Sequence, residues 1–213
     1  MANFVWVPVS GDASMDTFAY ALCEHRAFKS QLIARSDGSL KGSRHSGEWG
    51  NITAGDTITV CGHGHATDTQ VIGWKQKKGK PVLWSHYELA AELAKKLYPS
   101  QKAVDINYEL MMCWSADSIL WKDPFAYRLA AELAAYRCHG TVIGYKGSVV
   151  MSGTGQSIVV HGSGRITSTI GKTISGPEMY TAFRPTEDDP LYIDKFNHYD
   201  FAKQRRKWAI PAA

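Results

Sequence analysis

Residues 104–145 contain a strand, a helix and a second strand in succession. The stretch opens with VDINYELMMC (104–113), an apolar run that predicts a buried strand, and closes with TVIGY (141–145), a second short strand. Between them, DPFAYRLAAELAAYRCHG (123–140) has the apolar period of an amphipathic helix. Because a connection of this length joins parallel neighbours, the stretch predicts a parallel sheet with right-handed crossovers.

The ends of the helices are marked by capping signals. Asp123 is the expected N-cap of the 123–140 helix, and Gly140 is its expected stop. The preceding helix is SHYELAAELAKKLYP (85–99), in which Ser85 and Glu88 have the spacing of a capping box.

The N-terminal half repeats the alternation of strand and helix. NFVWVPV (3–9) predicts a buried strand, and SMDTFAYALCEHRAF (14–28) predicts a helix with Ser14 as its cap. The strand at 56–62 comes next, and a hairpin is expected around KQKKGK (75–80). The fold class is therefore α/β, with a mostly parallel sheet flanked by helices.

The amino-acid composition changes after residue 147. The segment up to 176 is rich in β-branched residues and punctuated by glycine, which predicts a β-hairpin flap packed on the α/β core. A short terminal helix is expected in HYDFAKQRRKW (198–208). We expect one domain over 1–213, with the core in about 1–147 and the flap and tail in about 148–213.

Composition excludes several classes of function. The net charge is only +4 and no nucleic-acid reading motif is present, so we expect no nucleic-acid partner. No apolar run reaches the roughly 18 residues of a membrane span, and no Sec signal peptide is recognisable at the start. We expect a cytoplasmic protein or one secreted without a Sec signal. The four cysteines are few for this length, so reduced thiols are expected.

Two strand ends carry residues that could take part in catalysis. TITVCGHGHATD (57–68) brings His63 to the end of one strand, and Cys113 lies at the end of the next core strand. An imidazole beside a thiol can accept its proton and stabilise the thiolate. The backbone N–H groups of Gly64 and Cys113 could form an oxyanion hole. The pattern predicts a catalytic dyad.

Two other interpretations stay open at this point. Cys113 could be a buried small residue and His63 a side chain that only ends a strand. Alternatively, Cys61, His63 and His65 alternate along the strand and could bind Zn²⁺, although no fourth ligand is evident. We expect that no metal and no other cofactor is required.

A resemblance to a known family rests on four stretches in order. These are TVCGHGH, SHYELAAELAKKL, YELMMCWSADS and PFAYRLAAELAAYRCHGTVIGY, which together resemble the caspase-like (clan CD) cysteine peptidases, over roughly residues 56–170. The likeness is greatest to the autoprocessing cysteine protease domain of large bacterial toxins. It implies a caspase-like fold, with His63, not His65, as the base and Cys113 as the nucleophile. MMCWS lacks the Gln-Ala and Arg-Gly that flank the cysteine of true caspases, so cleavage after aspartate is not implied.

The resemblance also implies partners and regulation. The expected partner is a protein or peptide substrate, cleaved by a bacterial effector or toxin-type protease. The toxin domains imply an inositol phosphate as activator, held by Lys146, Arg165 and Lys172 around the flap. A non-catalytic caspase-like binding module is the alternative.

Overall fold

The computed structural model describes ten stretches of the chain, namely residues 1–24, 30–40, 44–65, 71–74, 82–116, 123–145, 148–151, 158–161, 179–181 and 205–209. The strands are β1 (Asn3–Trp6), β2 (Ser30–Ala34), β3 (Thr57–Cys61), β4 (Val71–Trp74), β5 (Val82–Ser85), β6 (Asp105–Met111), β7 (His139–Tyr145), β8 (Ser148–Met151), β9 (Ile158–His161), β10 (Met179–Thr181) and β11 (Arg205–Ala209). The helices are α1 (Ala13–Glu24), α2 (His86–Lys96), α3 (Pro99–Lys102) and α4 (Phe125–Ala135), with a 3-10 turn at Trp49–Asn51.

A six-stranded sheet forms the centre of the described fold. Its strand order is β11-β7-β6-β3-β1-β2, and every neighbouring pair from β2 to β7 is parallel. Only β11 runs antiparallel, along β7. The predicted α/β class and the parallel pairing of the strands near 56–62, 104–112 and 141–145 are confirmed.

Helices cover both faces of this sheet. On one face α2 and α4 bury apolar residues against the strands, among them Leu89, Leu93, Leu129 and Leu133, each with no exposed surface. On the other face α1 packs through Phe18 and its neighbours. Each fully buried leucine contributes about 1.5–3 kcal/mol to the free energy of folding. This packing holds the helices against the strands whose ends carry the candidate site.

The structure confirms the sequence signals for the start of α2 and for the β4–β5 hairpin. Ser85 accepts the backbone N–H of Glu88 at 3.3 Å, and the Glu88 carboxylate accepts the N–H of Ser85, so the capping box of α2 is confirmed. Strands β4 and β5 pair antiparallel as the predicted hairpin requires.

The N-cap predicted for α1 is wrong. Helix α1 begins one residue before Ser14, and the carboxylate of Asp12 accepts the N–H of Met15 at 3.1 Å. Asp12 therefore occupies the capping position, since a carboxylate there satisfies a donor of the first helical turn. Ser14 lies inside that turn.

Both caps predicted for α4 are also wrong. Pro124 precedes the helix without a side-chain cap, and Asp123 is an exposed residue that pairs with Arg128 at 3.9 Å. At the other end Arg137 takes the left-handed conformation (φ +59°) that the glycine was expected to supply. Gly140 instead lies in β7, where a Cβ would come within 1.9 Å of a backbone oxygen of β6.

The C-terminal part of the chain gives one further correction. Residues 205–209, expected within a terminal helix, form the strand β11. Strands β8, β9 and β10 pair antiparallel in a separate small sheet. Most of the flap and tail predicted for 148–213 lies outside the described residues, so the flap and the single-domain assignment stay predictions. Within the described stretches, no helix is long and apolar enough to cross a membrane.

Candidate active site

The two glycines beside His63 are required by close packing. A Cβ on Gly62 would lie 2.4 Å from the side chain of Ile72, which is fully buried. A Cβ on Gly64 would lie 1.8 Å from the carbonyl oxygen of Cys113 and 3.0 Å from its nitrogen. Real Cβ atoms do not approach that closely, so only glycine lets the chain after β3 touch the chain after β6.

Cys113 lies two residues beyond the end of β6, in a sharp turn. Trp114, the next residue, has a φ of +55°. A tryptophan rarely adopts this left-handed conformation, and such backbone persists only where the surroundings hold it in place. Parallel pairing puts the end of β6 beside the end of β3, with Met111 opposite Cys61. The predicted sites at His63, Gly64 and Cys113 therefore lie at one edge of the sheet.

Ser115 fixes the turn that carries Cys113. Its side chain is fully buried, and its hydroxyl oxygen accepts the N–H of Tyr145 at 2.8 Å. Its carbonyl oxygen accepts the N–H of Ala126 at 3.0 Å, and the N–H of Ala116 donates to the carbonyl of Tyr145 at 2.9 Å. Three hydrogen bonds thus tie the turn to the end of β7 and the start of α4, which holds the thiol-bearing backbone rigidly.

Two side chains at the start of α1, one from its N-cap and one from its first turn, reach the imidazole of His63. The hydroxyl oxygen of Ser14 lies 2.9 Å from Nε2, and the nearer carboxylate oxygen of Asp12 lies 3.5 Å from the same nitrogen. The hydroxyl of Ser14 donates to Asp12 at 2.7 Å. Because that bond uses the only hydroxyl proton, we assign Nε2 as the protonated nitrogen that donates to Ser14. In the neutral ring this places the lone pair on Nδ1.

The carboxylate of Asp12 is buried yet held in its charged form. Its side chain is 2% exposed, and burial by itself raises its pKa. Hydrogen bonds from His63 and Ser14 and from the N–H of Met15 outweigh burial, so the pKa of Asp12 is lowered below its usual value. An ionised carboxylate beside His63 stabilises an imidazolium, should the ring take up a second proton.

The sulfur of Cys113 contacts the backbone of β8. The N–H of Val149 donates to Sγ at 3.2 Å, and the thiol lies 3.5 Å from the carbonyl oxygen of the same residue. The N–H stabilises negative charge on sulfur, as a hydrogen bond to a charged form does.

The other three cysteines are buried. Burial raises the pKa of the Cys23 thiol to about 12 and also raises the pKa values of Cys61 and Cys138. Cys113 is the partly exposed one of the four. Since a thiol reacts as its accessible thiolate, Cys113 is the cysteine best placed to act as a nucleophile.

The three residues considered as zinc ligands have separate surroundings. Cys61 lies in the core, His63 contacts α1, and Nε2 of His65 lies 3.0 Å from the carbonyl oxygen of Gly73. Among the described residues, no group of three or more His, Cys, Asp or Glu side chains could hold a metal ion.

Sequence reasoning missed Asp12 and Ser14. The available signal was SGDAS (10–14), a carboxylate and a hydroxyl placed between a parallel strand and the helix that follows it. The residues expected to bind an activator, Lys146, Arg165 and Lys172, lie outside the described residues, so that site stays a prediction.

Comparison with known proteins adds no assignment. No family model matches the chain, and no curated protein matches it significantly.

Proposed function

We propose that this protein is a cysteine endopeptidase of the caspase-like kind, in which Cys113 is the nucleophile and His63 the base. The observation that carries the proposal is the backbone contact between Gly64 and Cys113. Because His63 directly precedes Gly64, this contact sets an imidazole and a partly exposed thiol at adjacent strand ends. The sequence resemblance to caspase-like peptidases supports the same pairing.

The proposed reaction has two stages. His63 accepts the thiol proton through Nδ1, and the thiolate of Cys113 attacks the peptide carbonyl carbon. The N–H groups of Gly64 and Cys113 stabilise the oxyanion. His63 then gives the proton to the departing amine, which leaves a thioester on Cys113. A water molecule, deprotonated by His63, hydrolyses the thioester and restores the thiol.

Asp12 and Ser14 position the base in this scheme. Both contact Nε2, so the opposite nitrogen is the one that can face the thiol. The buried carboxylate also stabilises the imidazolium formed after proton transfer. Neither residue touches the substrate, and both act through His63.

The test is cleavage of a peptide library under reducing conditions, read by mass spectrometry. The wild-type protein should cut at preferred sites, and Cys113→Ala should cut none. Cys138→Ala is the matched control, because it removes a buried thiol that lies just before β7, and it should retain activity. Cleavage that persists in Cys113→Ala contradicts the proposal.

Two outcomes separate the alternatives. A folded wild-type protein that binds peptides but never cuts them points to a non-catalytic binding module. If His65→Ala loses both the activity and a bound zinc ion, the protein is a zinc protein. A dyad enzyme keeps substantial activity in that variant, since His65 contacts Gly73 instead of the thiol.

Activation by an inositol phosphate belongs to the same proposal, as the resemblance to bacterial toxin domains suggests. Adding inositol hexakisphosphate at low salt should raise both the melting temperature and the peptidase rate, because a polyanion bridges separated basic residues. If neither changes, inositol hexakisphosphate is not an activator of this protein, and the proposal of a dyad of Cys113 and His63 still stands.

A further inference from the structure

A cavity of about 340 Å³ lies at the ends of β1 and β2, two to three strands along the sheet from the strand that precedes Cys113. We propose that this cavity is a specificity subsite that receives a large aromatic side chain of the peptide substrate. The inference rests on the proposed peptidase function and names the class of substrate.

Three tryptophan side chains contribute indole rings to the lining of the cavity. Trp6 meets Trp49 edge-on, with ring centroids 5.4 Å apart, and meets Trp84 at 6.4 Å. Trp6 is 3% exposed and fixed in the core, whereas Trp49 and Trp84 are only partly buried. Aromatic rings favour edge-to-face contact with one another, so a ring entering the cavity gains more than its apolar area alone provides.

The charges around the cavity select against basic groups. The ammonium of Lys96 lies over the rings of Trp6 and Trp49, 5.8 and 5.5 Å from their centroids. A cationic ligand would compete with this ammonium for the same ring faces and be repelled by it. Arg35, which pairs with Asp16, also lines the cavity, and the Glu92 carboxylate at the wall is already paired with Lys96 at 3.3 Å, so it is not available to a basic ligand. The cavity therefore fits an aromatic side chain better than lysine or arginine.

The first turn of α1 connects the cavity to the catalytic edge. Asp16 accepts hydrogen bonds from the N–H and the hydroxyl of Ser36, at 2.8 and 2.7 Å, and pairs with Arg35 at 3.6 Å. Asp12, the N-cap of the same helix, contacts His63. The start of α1 therefore contacts both His63 and the part of the cavity wall formed by Arg35 and Ser36.

Sheet geometry gives the distance from the cleaved bond. Cys113 follows β6, and the cavity lies two to three strands away, at β1 and β2. Neighbouring strands are about 4.8 Å apart and an extended peptide advances about 3.3 Å per residue, so the separation is about three or four substrate residues.

The first arm of the test measures binding without cleavage. N-acetyl-phenylalaninamide is titrated into the ¹⁵N-labelled full chain, and the indole N–H signals of Trp49 and Trp84 are followed by NMR. Both should shift, and N-acetyl-lysinamide at equal concentration should shift neither. Trp84→Ala should weaken binding at least tenfold. Tyr127→Ala, an exposed aromatic residue on α4, is the matched control and should bind normally.

The second arm measures specificity in the peptide library. Phe, Tyr or Trp should be enriched three or four residues from the cut, with Lys and Arg depleted. Trp84→Ala should lower the aromatic-over-alanine ratio of kcat/KM about tenfold, and Lys96→Glu should admit basic residues.

The two arms separate the possible failures. Absence of indole shifts with the phenylalanine amide overturns the subsite whatever the peptidase does. Cleavage with unchanged preference in Trp84→Ala and Lys96→Glu also overturns it and leaves the peptidase standing. A wild-type protein that cuts no peptide overturns the peptidase, and the substrate role of the cavity falls with it.

Discussion

Gly64 packs directly against the peptide group of Cys113, in a space that has no room for a Cβ atom. This contact joins the segments that follow β3 and β6, and it brings the residue after His63 to the thiol-bearing turn. The contact is possible because glycine has no side chain, so adding a Cβ at position 64 should have measurable effects on stability and activity.

Gly64→Ala should damage the site more than the fold. The added Cβ would meet the carbonyl oxygen of Cys113, so one of the two loops must move. We expect about 1–3 kcal/mol of destabilisation, as for overpacking elsewhere, and about a 100-fold loss of kcat/KM. Denaturant unfolding and peptide cleavage measure the two effects. Gly50→Ala is the control, because its Cβ would meet an ordinary contact at 3.6 Å; equal effects of both changes would contradict the account.

Asp12→Asn should lower kcat with little change in KM. Asparagine caps a helix as well as aspartate does, so α1 and the folded structure should persist. Without the charge the imidazolium loses its stabilising partner, and we expect kcat to fall about 10- to 100-fold, as for other residues that orient a reacting group. Steady-state kinetics across pH provides the measurement, with the exposed Asp37→Asn as the control. A variant with wild-type kcat at every pH would exclude the assigned role.

Ser14→Ala separates a cysteine nucleophile from a serine nucleophile. The hydroxyl oxygen of Ser14 lies 2.9 Å from Nε2 of His63, yet its proton is donated to Asp12. Losing one exposed hydrogen bond costs about 0.5–1.5 kcal/mol, so activity should fall no more than about tenfold. Complete loss of turnover in Ser14→Ala, with Cys113→Ala still active, would assign the chemistry to the hydroxyl.

Asp56 should make the fold sensitive to acid. Burial raises its pKa, but hydrogen bonds from the N–H of Ala2 and from the N–H and hydroxyl of Thr53 outweigh burial and lower it. A lowered folded-state pKa stabilises the fold above the unfolded pKa of about 3.9, and this stability disappears as pH falls through the folded value. Melting temperatures of the wild type and Asp56→Asn should therefore converge between pH 5 and pH 2.

A constant difference in melting temperature over that range would contradict the linkage. Glu48→Gln, which changes an exposed carboxylate, is the control and should follow the wild type.

The sequence predicted those parts of the fold that depend on local periodicity. The capping box at Ser85 and Glu88 and the order of strands around α2 and α4 could be read directly, because each signal lies within a few residues of its effect. The strand ends of β3 and β6 followed from the parallel pairing. The sequence alone therefore predicts that His63 and Cys113 lie at one edge of the sheet.

Other features depend on contacts between distant parts of the chain. Asp12 caps α1 in place of Ser14, and its carboxylate also contacts His63, 51 positions further on. Residues 205–209 have a mixed polar and aromatic sequence, and their pairing with β7 decides their conformation. The cavity between Trp6 and Trp84 likewise combines residues that are far apart in sequence.

The rate of alkylation of Cys113 by iodoacetamide at pH 6 tests the central claim most directly. An ordinary cysteine thiol has a pKa of about 8.5 and reacts slowly there, whereas a thiol paired with an imidazole is already partly ionised. Peptide mass mapping should find Cys113 modified before the three buried cysteines, with a rate at least about tenfold lower in His63→Ala and nearly unchanged in His65→Ala. Equal rates in the wild type and His63→Ala would contradict the dyad.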